Sequence, residues 1–446
     1  MAELPRLAVG TVQPQADSTA IIWALMHALE RLDVRVQSFL SHAYFCPRDG
    51  ATAITSLPPR HLDTWLMDRA QCCEVLVRGS RASDLALVEG CFAGSCAAEG
   101  PTSDFETLCQ WLDLPRVAVV DARLLAKCQV PDRPAELGGV LLDRVADASE
   151  LCRLQTQLEA LWHVPVLGSL SVLEPLRGDI ANIPFGCQPP LELCQALGEE
   201  LSRSIDIEAV LGLAHSRAVS GAQLLLCGSA ELPRASDLHV AVAFDEAFGG
   251  YFPDTLDVLE LRGATISDFS PLRDERLPAN TDVVYVGCGH PERFAEQLSR
   301  NDCLMLALQS HVFSGRRIYA ECGGLAYLCR DIELPDGQRW PMVGVLPSTA
   351  RFDLADTAPR PAEVQLTSDN WLGRAGETWR GYLNPRWSLQ SAHQLDRCGG
   401  EDQAPEVVRR QQAVASRVYM NFAAQRGLLD GFFTPHDSRR RASTPH

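Results

Sequence analysis

The clearest chemistry in this chain lies in its second half, where a cysteine stands between an apolar run and two glycines. Residues 318–328 read Ile-Tyr-Ala-Glu-Cys-Gly-Gly-Leu-Ala-Tyr-Leu. A strand that turns sharply through Glu-Cys-Gly-Gly into a helix presents the thiol at the helix N-terminus, where the helix dipole favours the thiolate. The pattern predicts a nucleophile elbow centred on Cys322, with Gly323 in the turn.

A second loop with suitable chemistry precedes this elbow in the chain. Residues 285–292 read Tyr-Val-Gly-Cys-Gly-His-Pro-Glu, again directly after an apolar run. Backbone N–H groups at Gly287 and Gly289, together with that of Gly323, are suited to stabilising the oxyanion that forms when a thiolate attacks a carbonyl group. We therefore predict these three glycines as an oxyanion loop.

A third candidate lies at the N-terminus, where residues 10–19 read Gly-Thr-Val-Gln-Pro-Gln-Ala-Asp-Ser-Thr. This stretch lies between an apolar run at 7–9 and a run of helical period at 21–29, which is where a strand–loop–helix phosphate cradle would lie. The stretch has little that a phosphate requires, so it predicts a degenerate nucleotide site. Its members in this stretch are Gly10, Thr11, Asp17, Ser18 and Thr19, and Glu89 joins them from a later segment.

The elements that position these residues alternate between short apolar runs and helical patterns. In the first half this alternation predicts a doubly wound parallel α/β sheet. An irregular, proline-rich stretch is expected to end at about residue 187. Strands are predicted at 7–9, 34–39, 85–88, 117–120, 139–142 and 163–168, and helices at 21–32 and 147–161.

A second α/β series follows a stretch that contains Gly, Ser and Pro and is typical of a domain connection. Its strands are predicted at 238–244, 265–269, 283–286 and 317–320. The polar, basic C-terminus is expected to be disordered. The predicted organisation is a first domain at 1–213, a linker at 214–237, a second domain at 238–433 and a tail at 434–446.

The composition argues against several function classes. The 446 residues are 46% hydrophobic and 22% charged, which is sufficient for two or three ordinary cores. A formal net charge of −17 argues against nucleic acid or anionic lipid as a partner, because phosphate groups attract clustered Lys and Arg. No window reaches the roughly 18 apolar residues of a membrane span and no signal peptide is recognised, so a cytoplasmic protein is expected.

Seven segments then give the chain a wider resemblance. They are HLDTWLM at 61–67, DLALVEG at 84–90, VAVAFDEAFGGYFPDTL at 240–256, FSPLRDERLP at 269–278, GCGHPE at 287–292, YAECGGLAYL at 319–328 and VGVLP at 343–347. Over nearly its full length the chain resembles the cobyrinic acid a,c-diamide synthase family. The resemblance implies a P-loop-NTPase-like, dethiobiotin-synthetase-like domain followed by a class I glutamine amidotransferase-like domain.

The resemblance also implies a reaction. In that family ATP activates side-chain carboxylates of a corrin-like tetrapyrrole, and ammonia that the cysteine releases from glutamine converts them to amides. The family's first loop reads roughly G-T-x-x-G-x-G-K-T-T, but here Pro14 and Ala16 replace glycines and Asp17 replaces the lysine. At about 4 Å and an effective dielectric near 20, replacing attraction by repulsion shifts the interaction by several kcal/mol. ATP is therefore expected to bind weakly or not at all.

The magnesium and histidine positions of the family also differ here. In one acidic loop of the family, this chain keeps the glutamate, Glu89, but the position of a later aspartate falls near Cys96. In a neighbouring motif, Cys46 stands where the family has an acidic residue. Thiols are poor ligands for Mg²⁺, so magnesium binding is expected to be weak or absent. In the C-terminal motif Tyr419 and Asn421 occupy the two histidine positions. A phenol with a pKa of about 10 is an inefficient base near pH 7.

The lysine, acidic and histidine positions of the family are all replaced together, which favours a catalytically impaired family member that binds a tetrapyrrole or a protein partner. Such a protein could form a homo-oligomer or a complex with an active homologue. The alternative is an active amidotransferase that uses rearranged residues.

Most of the sixteen cysteines are expected to be reduced and buried. Two clusters have open interpretations. The first, Cys46, Cys91 and Cys96, is either a thiolate site for a haem-like tetrapyrrole or a loop without a ligand. The second, Cys288, His290 and Cys322, is either a soft-metal or disulfide site or a group of unligated neighbours.

Overall fold

The chain divides into two compact units, Met1–Ala230 and Glu231–His446. The computed structural model describes residues 4–13, 15–43, 45, 48–92, 103–125, 130–217, 237–354, 359–390, 395–401 and 404–434. Most of the predicted linker at 214–237 and nearly all of the predicted tail at 434–446 lie outside these described residues, so their exact extents remain predictions.

The first unit is built on a seven-stranded sheet in which every neighbouring pair of strands is parallel, in the order β3-β2-β4-β1-β5-β6-β7. The carboxyl ends of all seven strands therefore meet at one edge, which is where an open α/β sheet binds ligands. The strands are β1 Arg6–Thr11, β2 Val36–Leu40, β3 Arg60–His61, β4 Leu85–Cys91, β5 Arg116–Asp121, β6 Leu137–Val145 and β7 Val166–Ser171.

Helices connect these strands, as the predicted doubly wound arrangement requires. α1 buries most of its residues because it packs between the sheet and α8, where a Cβ added at Gly198 would lie 2.3 Å from His27. The helices are α1 Thr19–Glu30, α2 Gly50–Thr55, α3 Arg69–Gly79, α4 Phe105–Trp111, α5 Ala122–Leu125, α6 Ala148–Trp162, α7 Glu174–Asn182, α8 Leu191–Leu201 and α9 Ile207–His215, with a 3₁₀ turn at Ser80–Ala82.

Two local predictions in this unit are wrong. The proline-rich stretch expected to be irregular contains α7, because Pro175 lies in the first helical turn, where proline removes no needed hydrogen bond. The strand predicted from His163 begins later, at Val166. His163 instead ends α6 with a left-handed φ of 55°.

The second unit contains a second seven-stranded sheet, in the order β10-β8-β11-β13-β22-β21-β20. The first five strands are parallel, and β21 and β20 run antiparallel at one edge. Its strands are β8 Leu238–Ala243, β10 Ala264–Phe269, β11 Val283–Val286, β13 Arg317–Glu321, β20 Asp396–Glu401, β21 Ala404–Arg410 and β22 Ala413–Ser416.

Three smaller sheets and five helices complete the described part of this unit. None of the described helices in either unit is long and apolar enough to cross a membrane. The remaining strands are β9 Phe248–Gly250, β12 Cys288–Gly289, β14 Cys329–Glu333, β15 Arg339–Pro341, β16 Leu346–Phe352, β17 Arg360–Gln365, β18 Thr378–Leu383, β19 Trp387–Gln390 and β23 Val418–Tyr419. The helices are α10 Pro253–Leu261, α11 Ala295–Ser299, α12 Asp302–Phe313, α13 Gly323–Leu328 and α14 Arg426–Phe433, with a 3₁₀ turn at Pro291–Arg293.

Candidate functional site

The predicted elbow lies where β13 ends and α13 begins. Cys322, between Glu321 and Gly323, has φ 48° and ψ −106°, a backbone conformation that non-glycine residues rarely adopt. Such strain persists only where the surrounding structure enforces it, and it is typical of functional turns. The side chain is nevertheless only 1% exposed. The elbow geometry is present, but its thiol is covered.

Two glycines bring this turn against the loop that follows β11. A Cβ added at Gly324 would lie 2.2 Å from the carbonyl oxygen of Val286, and one added at Gly323 would lie 2.7 Å from that of Gly289. Real side chains do not tolerate such distances, so only glycine fits at these two positions. The elbow and the predicted oxyanion loop therefore pack backbone against backbone.

The polar contacts of Cys322 are few. Its Sγ donates a hydrogen bond to the carbonyl oxygen of Arg417 at 3.3 Å, and its amide donates to that of Ser416 at 2.8 Å. Burial and the nearby Cys322 thiol both raise the pKa of the Cys288 thiol. Within the described residues, the structure gives the Cys322 thiol no hydrogen bond to an imidazole or a carboxylate.

The degenerate nucleotide site has a different arrangement. Gly10 and Thr11 belong to β1, and Thr19 is the first residue of α1. The carboxylate of Asp17 accepts a hydrogen bond from the Thr19 amide at 3.0 Å, whereas Ser18 makes no side-chain cap. Amides at a helix N-terminus are what a bound phosphate uses. The Asp17 carboxylate therefore takes the Thr19 amide, a group that a phosphate at this helix N-terminus would use.

An ion network extends from the exposed side chain of Asp17 to buried charges along the carboxyl edge of the sheet. The other Asp17 oxygen lies 3.8 Å from the guanidinium of Arg144, which lies 3.2 Å from Asp121 and 3.7 Å from Asp143. Asp143 in turn pairs with Arg177 at 2.5 Å. These cations already have anionic partners, so the side chains at this edge do not fit an additional nucleotide phosphate.

Comparison with known proteins decides the family. Residues 239–382 match the CobB/CobQ-like glutamine amidotransferase domain. The cobyrinate a,c-diamide synthase of Syntrophotalea carbinolica is 29% identical over 96% of this chain and 98% of its own length. That of Thermoplasma acidophilum is 30% identical over 85% of this chain and 87% of its own. The chain belongs to the cobyrinate a,c-diamide synthase family.

Two residues, Tyr419 and Asn421, are predicted from the resemblance to stand at the family's histidine positions. Tyr419 is 2% exposed and packs its ring between those of Phe252 and Tyr382, with centroids 6.1 Å and 6.3 Å away. Asn421 is fully buried and accepts a hydrogen bond from the Ala423 amide at 3.0 Å, while its Nδ2 atom has no partner among the described residues. Neither group is a base at neutral pH.

The predicted oxyanion loop is already engaged in internal contacts. The Gly287 amide donates to the hydroxyl oxygen of Tyr251 at 2.9 Å, and that hydroxyl donates to the carbonyl oxygen of Ala243 at 2.5 Å. Gly289 packs so closely that an added Cβ would lie 2.0 Å from the Ala247 carbonyl oxygen. An oxyanion would have to displace the tyrosine from Gly287, and the oxyanion role of these glycines remains a prediction.

No metal cluster supports the soft-metal interpretation of Cys288, His290 and Cys322. His290 pairs through Nδ1 with Glu292 at 2.9 Å. Among the described residues no group of three His, Cys, Asp or Glu side chains is placed to hold a metal ion. Cys91 lies at the end of β4, but Cys46 and Cys96 lie outside the described residues, so the proposed tetrapyrrole thiolate site stays a prediction.

Glu89 and Asp63 are the acidic residues retained at the nucleotide end of the first unit. Glu89 accepts a hydrogen bond from the Ser38 hydroxyl at 3.0 Å, and burial raises the pKa of its carboxyl to about 7. Asp63 is fully buried and accepts hydrogen bonds from the amides of Ala43 and Trp65 at 2.8 and 2.9 Å. These contacts fit a structural role for Asp63 in the loop after β2.

Two polar clusters were missed from the sequence. Glu321 is buried and accepts hydrogen bonds from Tyr319 at 2.7 Å, Tyr285 at 2.9 Å and the Met420 amide at 3.0 Å, and burial raises its carboxyl pKa to about 7. The second cluster is the ion network around Arg144. Asp121 ends β5 and Asp143 lies two residues before the end of β6, and a carboxylate near the end of an apolar strand is the signal that could have pointed to it.

Proposed function

We propose that this chain is a member of the cobyrinate a,c-diamide synthase family that no longer performs the family's ATP- and glutamine-dependent amidation and acts by binding a corrin-type tetrapyrrole. The observation that carries the proposal is the environment of Cys322. Its thiol contacts a backbone carbonyl and a second thiol, and the two histidine positions hold a buried tyrosine and a buried asparagine. Release of ammonia from glutamine requires a base beside this thiol.

The first unit supports the same conclusion independently. ATP-dependent activation of a carboxylate needs a cation beside the terminal phosphates, and Asp17 stands at that position. Its carboxylate takes the Thr19 amide and lies near Arg144. Phosphate would therefore have to compete with an anion that is covalently part of the chain. Two separate observations among the described residues therefore support the loss of one reaction.

The tetrapyrrole in this proposal comes from the relatives, whose names specify cobyrinate as the substrate. Absorbance titration of the purified chain with cobyrinic acid, sirohydrochlorin and haem, alongside calorimetry with Mg-ATP, tests the proposal. The expected result is saturable binding of a corrin-type tetrapyrrole and no detectable heat from ATP. Absence of binding to all three tetrapyrroles would remove the binding function, and tight ATP binding would contradict the proposed role of Asp17.

Glutaminase activity gives the second test. Glutamate release from glutamine is expected to be indistinguishable between the unmodified chain, Cys322→Ala and the control Cys303→Ala, which alters an exposed cysteine. Release that disappears only in Cys322→Ala would overturn the proposal. It would favour the second candidate, an active amidotransferase with rearranged residues, for which the strained elbow at Cys322 is the supporting observation.

A further inference from the structure

The two thiols that meet at the elbow belong to different segments of the second unit. Cys288 lies in β12 and Cys322 lies between β13 and α13. Their side chains are 7% and 1% exposed, and the two thiols are near enough to affect one another. Both are free thiols in this structure. A pair of neighbouring thiols, from segments 34 positions apart in the printed sequence, has the arrangement from which a disulfide forms.

The backbone around them is also close enough for a disulfide. Gly323 approaches the carbonyl of Gly289, and Gly324 approaches those of Val286 and Gly287, with hypothetical Cβ distances of 2.2 to 2.8 Å. Each cysteine is the immediate neighbour of one of these contacting glycines. A disulfide requires Cα atoms about 4.4 to 6.8 Å apart, a separation expected of segments that touch through their backbones.

We propose that Cys288 and Cys322 form a reversible redox pair that closes to an intramolecular disulfide. This inference does not depend on the proposed loss of amidation, because it concerns the thiols alone. The oxidant is a hydroperoxide. The sulfur of Cys322 attacks a peroxide oxygen, the O–O bond breaks, and water or an alcohol leaves with the thiol proton, giving a sulfenic acid.

The second step consumes that sulfenic acid. The Cys288 sulfur attacks the sulfenic sulfur, the S–O bond breaks and water leaves, so two thiols are oxidised while one peroxide is reduced to two hydroxyl-bearing products. Cys322 is assigned as the sulfur that reacts first because it lies in the strained turn between β13 and α13, whereas burial and the neighbouring thiol raise the pKa of Cys288 well above its ordinary value. Because both thiols are buried, the reaction is slower than oxidation of exposed cysteines and accelerates with rising pH.

Peptide mapping of the full chain tests the pair directly. Cleavage after Arg places Cys288 in residues 277–293 and places Cys322 with Cys329 in residues 318–330. The chain is treated with hydrogen peroxide, its remaining thiols are alkylated while it is unfolded, and it is digested at acidic pH to prevent disulfide exchange. The expected product joins these two peptides through Cys322, carries alkylated Cys329 and disappears after reduction.

Variants separate a resolving thiol from simple proximity. With Cys152 and Cys303 changed to Ser to remove exposed thiols, Cys288→Ser is expected to increase sulfinic and sulfonic acid at Cys322 several-fold, since nothing intercepts the sulfenic acid. Cys329→Ser, which alters a buried cysteine that donates to Leu325, is expected to leave the link unchanged. Both thiols remaining reduced in the unmodified chain, or equal overoxidation with and without Cys288, would overturn the proposal.

Discussion

The nucleotide loop of the first unit and the cysteine elbow of the second unit have departed from the family pattern in opposite ways. In the loop, the carboxylate of Asp17 accepts a hydrogen bond from a helix amide and lies 3.8 Å from Arg144. In the elbow, the demanding backbone is intact, with Cys322 at φ 48°, while no hydrogen bond among the described residues joins its thiol to an imidazole or a carboxylate. The loop is held by side-chain contacts and the elbow by its backbone.

The difference has a physical origin in what each site needs in order to fold. A phosphate loop without phosphate leaves helix amides unsatisfied, so a carboxylate at Asp17 stabilises the ligand-free state. The elbow is instead fixed by close backbone packing of Gly323 and Gly324 against the loop after β11, which is independent of any catalytic base. Chemistry can therefore be lost from the elbow without changing its shape.

The largest expected effect concerns the ion network of the first unit. Arg177→Leu leaves the buried carboxylate of Asp143 with only the weaker contact to Arg144, and is expected to lower the free energy of unfolding by about 3 to 5 kcal/mol at pH 8. The loss should shrink at pH 5, because burial raises the Asp143 pKa to about 6 and the neutral carboxyl needs no cation. Urea denaturation at each pH measures the change in the free energy of unfolding, and hydrogen exchange of the β6 amides assigns it to the first unit.

Arg153→Leu is the matched control for that prediction. Arg153 pairs with Glu150 at the surface, with 61% of its side chain exposed, so its loss is expected to cost less than about 1 kcal/mol. Similar costs for the two variants would show that the network at the nucleotide end is not buried in the way described.

The second prediction tests the backbone packing of the elbow. Gly324→Ala places a Cβ 2.2 Å from the Val286 carbonyl oxygen and is expected to destabilise the second unit by about 3 kcal/mol, because backbone must move. Gly427→Ala is the control, since nothing lies within 4 Å of its Cβ position in α14. It should be neutral or stabilising by up to about 1 kcal/mol. Thermal unfolding of both variants measures the difference.

The third prediction concerns Glu321, which anchors the segment at Met420 beside the elbow. Its carboxyl pKa rises from 4.5 to about 7 on folding, so folding favours the protonated form. The resulting stability is fully present below about pH 4.5 and is lost as the pH rises through about 7. Glu321→Gln should therefore reduce the stability difference between pH 5 and pH 9 by about 2 to 3 kcal/mol.

Glu363→Gln provides the comparison for Glu321. Glu363 is 47% exposed in a surface pair with Arg380, so its replacement should leave the pH dependence nearly unchanged. Chemical denaturation at a series of pH values measures both. A Glu321→Gln curve parallel to that of the unmodified chain would mean that this carboxyl is ionised without penalty in the folded state.

Sequence patterns predicted the parallel strands well because a buried parallel strand is a continuous apolar run that can be recognised from consecutive residues. The run at 283–286 matches β11 without error, and the run at 117–120 lies inside β5. The strands between β14 and β23 were not predicted, since many are short, partly exposed and paired with distant segments. These strands form only through pairing with distant segments, and the hydrophobic periodicity of neighbouring residues does not reveal that pairing.

The candidate sites show the same division between local and non-local information. The elbow at Cys322 was recognised because its turn, glycines and strand are consecutive in the chain. The ion pair of Asp17 with Arg144 joins residues more than a hundred positions apart, and the sequence around Arg144 gives no sign of it. The sequence points to Asp17 as a departure from the family pattern, but it does not identify Arg144 as the partner of Asp17.

The smallest expected effect tests whether Asp17 is a structural substitute for phosphate. Asp17→Ala removes the carboxylate that accepts the Thr19 amide and should cost about 1 kcal/mol of stability in the first unit, whereas Ser18→Ala, which removes no cap hydrogen bond, should cost little. Added inorganic phosphate should restore part of the loss in Asp17→Ala only, because it can then reach the freed helix amide. If phosphate stabilised the unmodified chain as much as Asp17→Ala, the Asp17 carboxylate would not compete with phosphate for the helix amide. The contrast between a loop held by side-chain contacts and an elbow held by its backbone would then no longer hold.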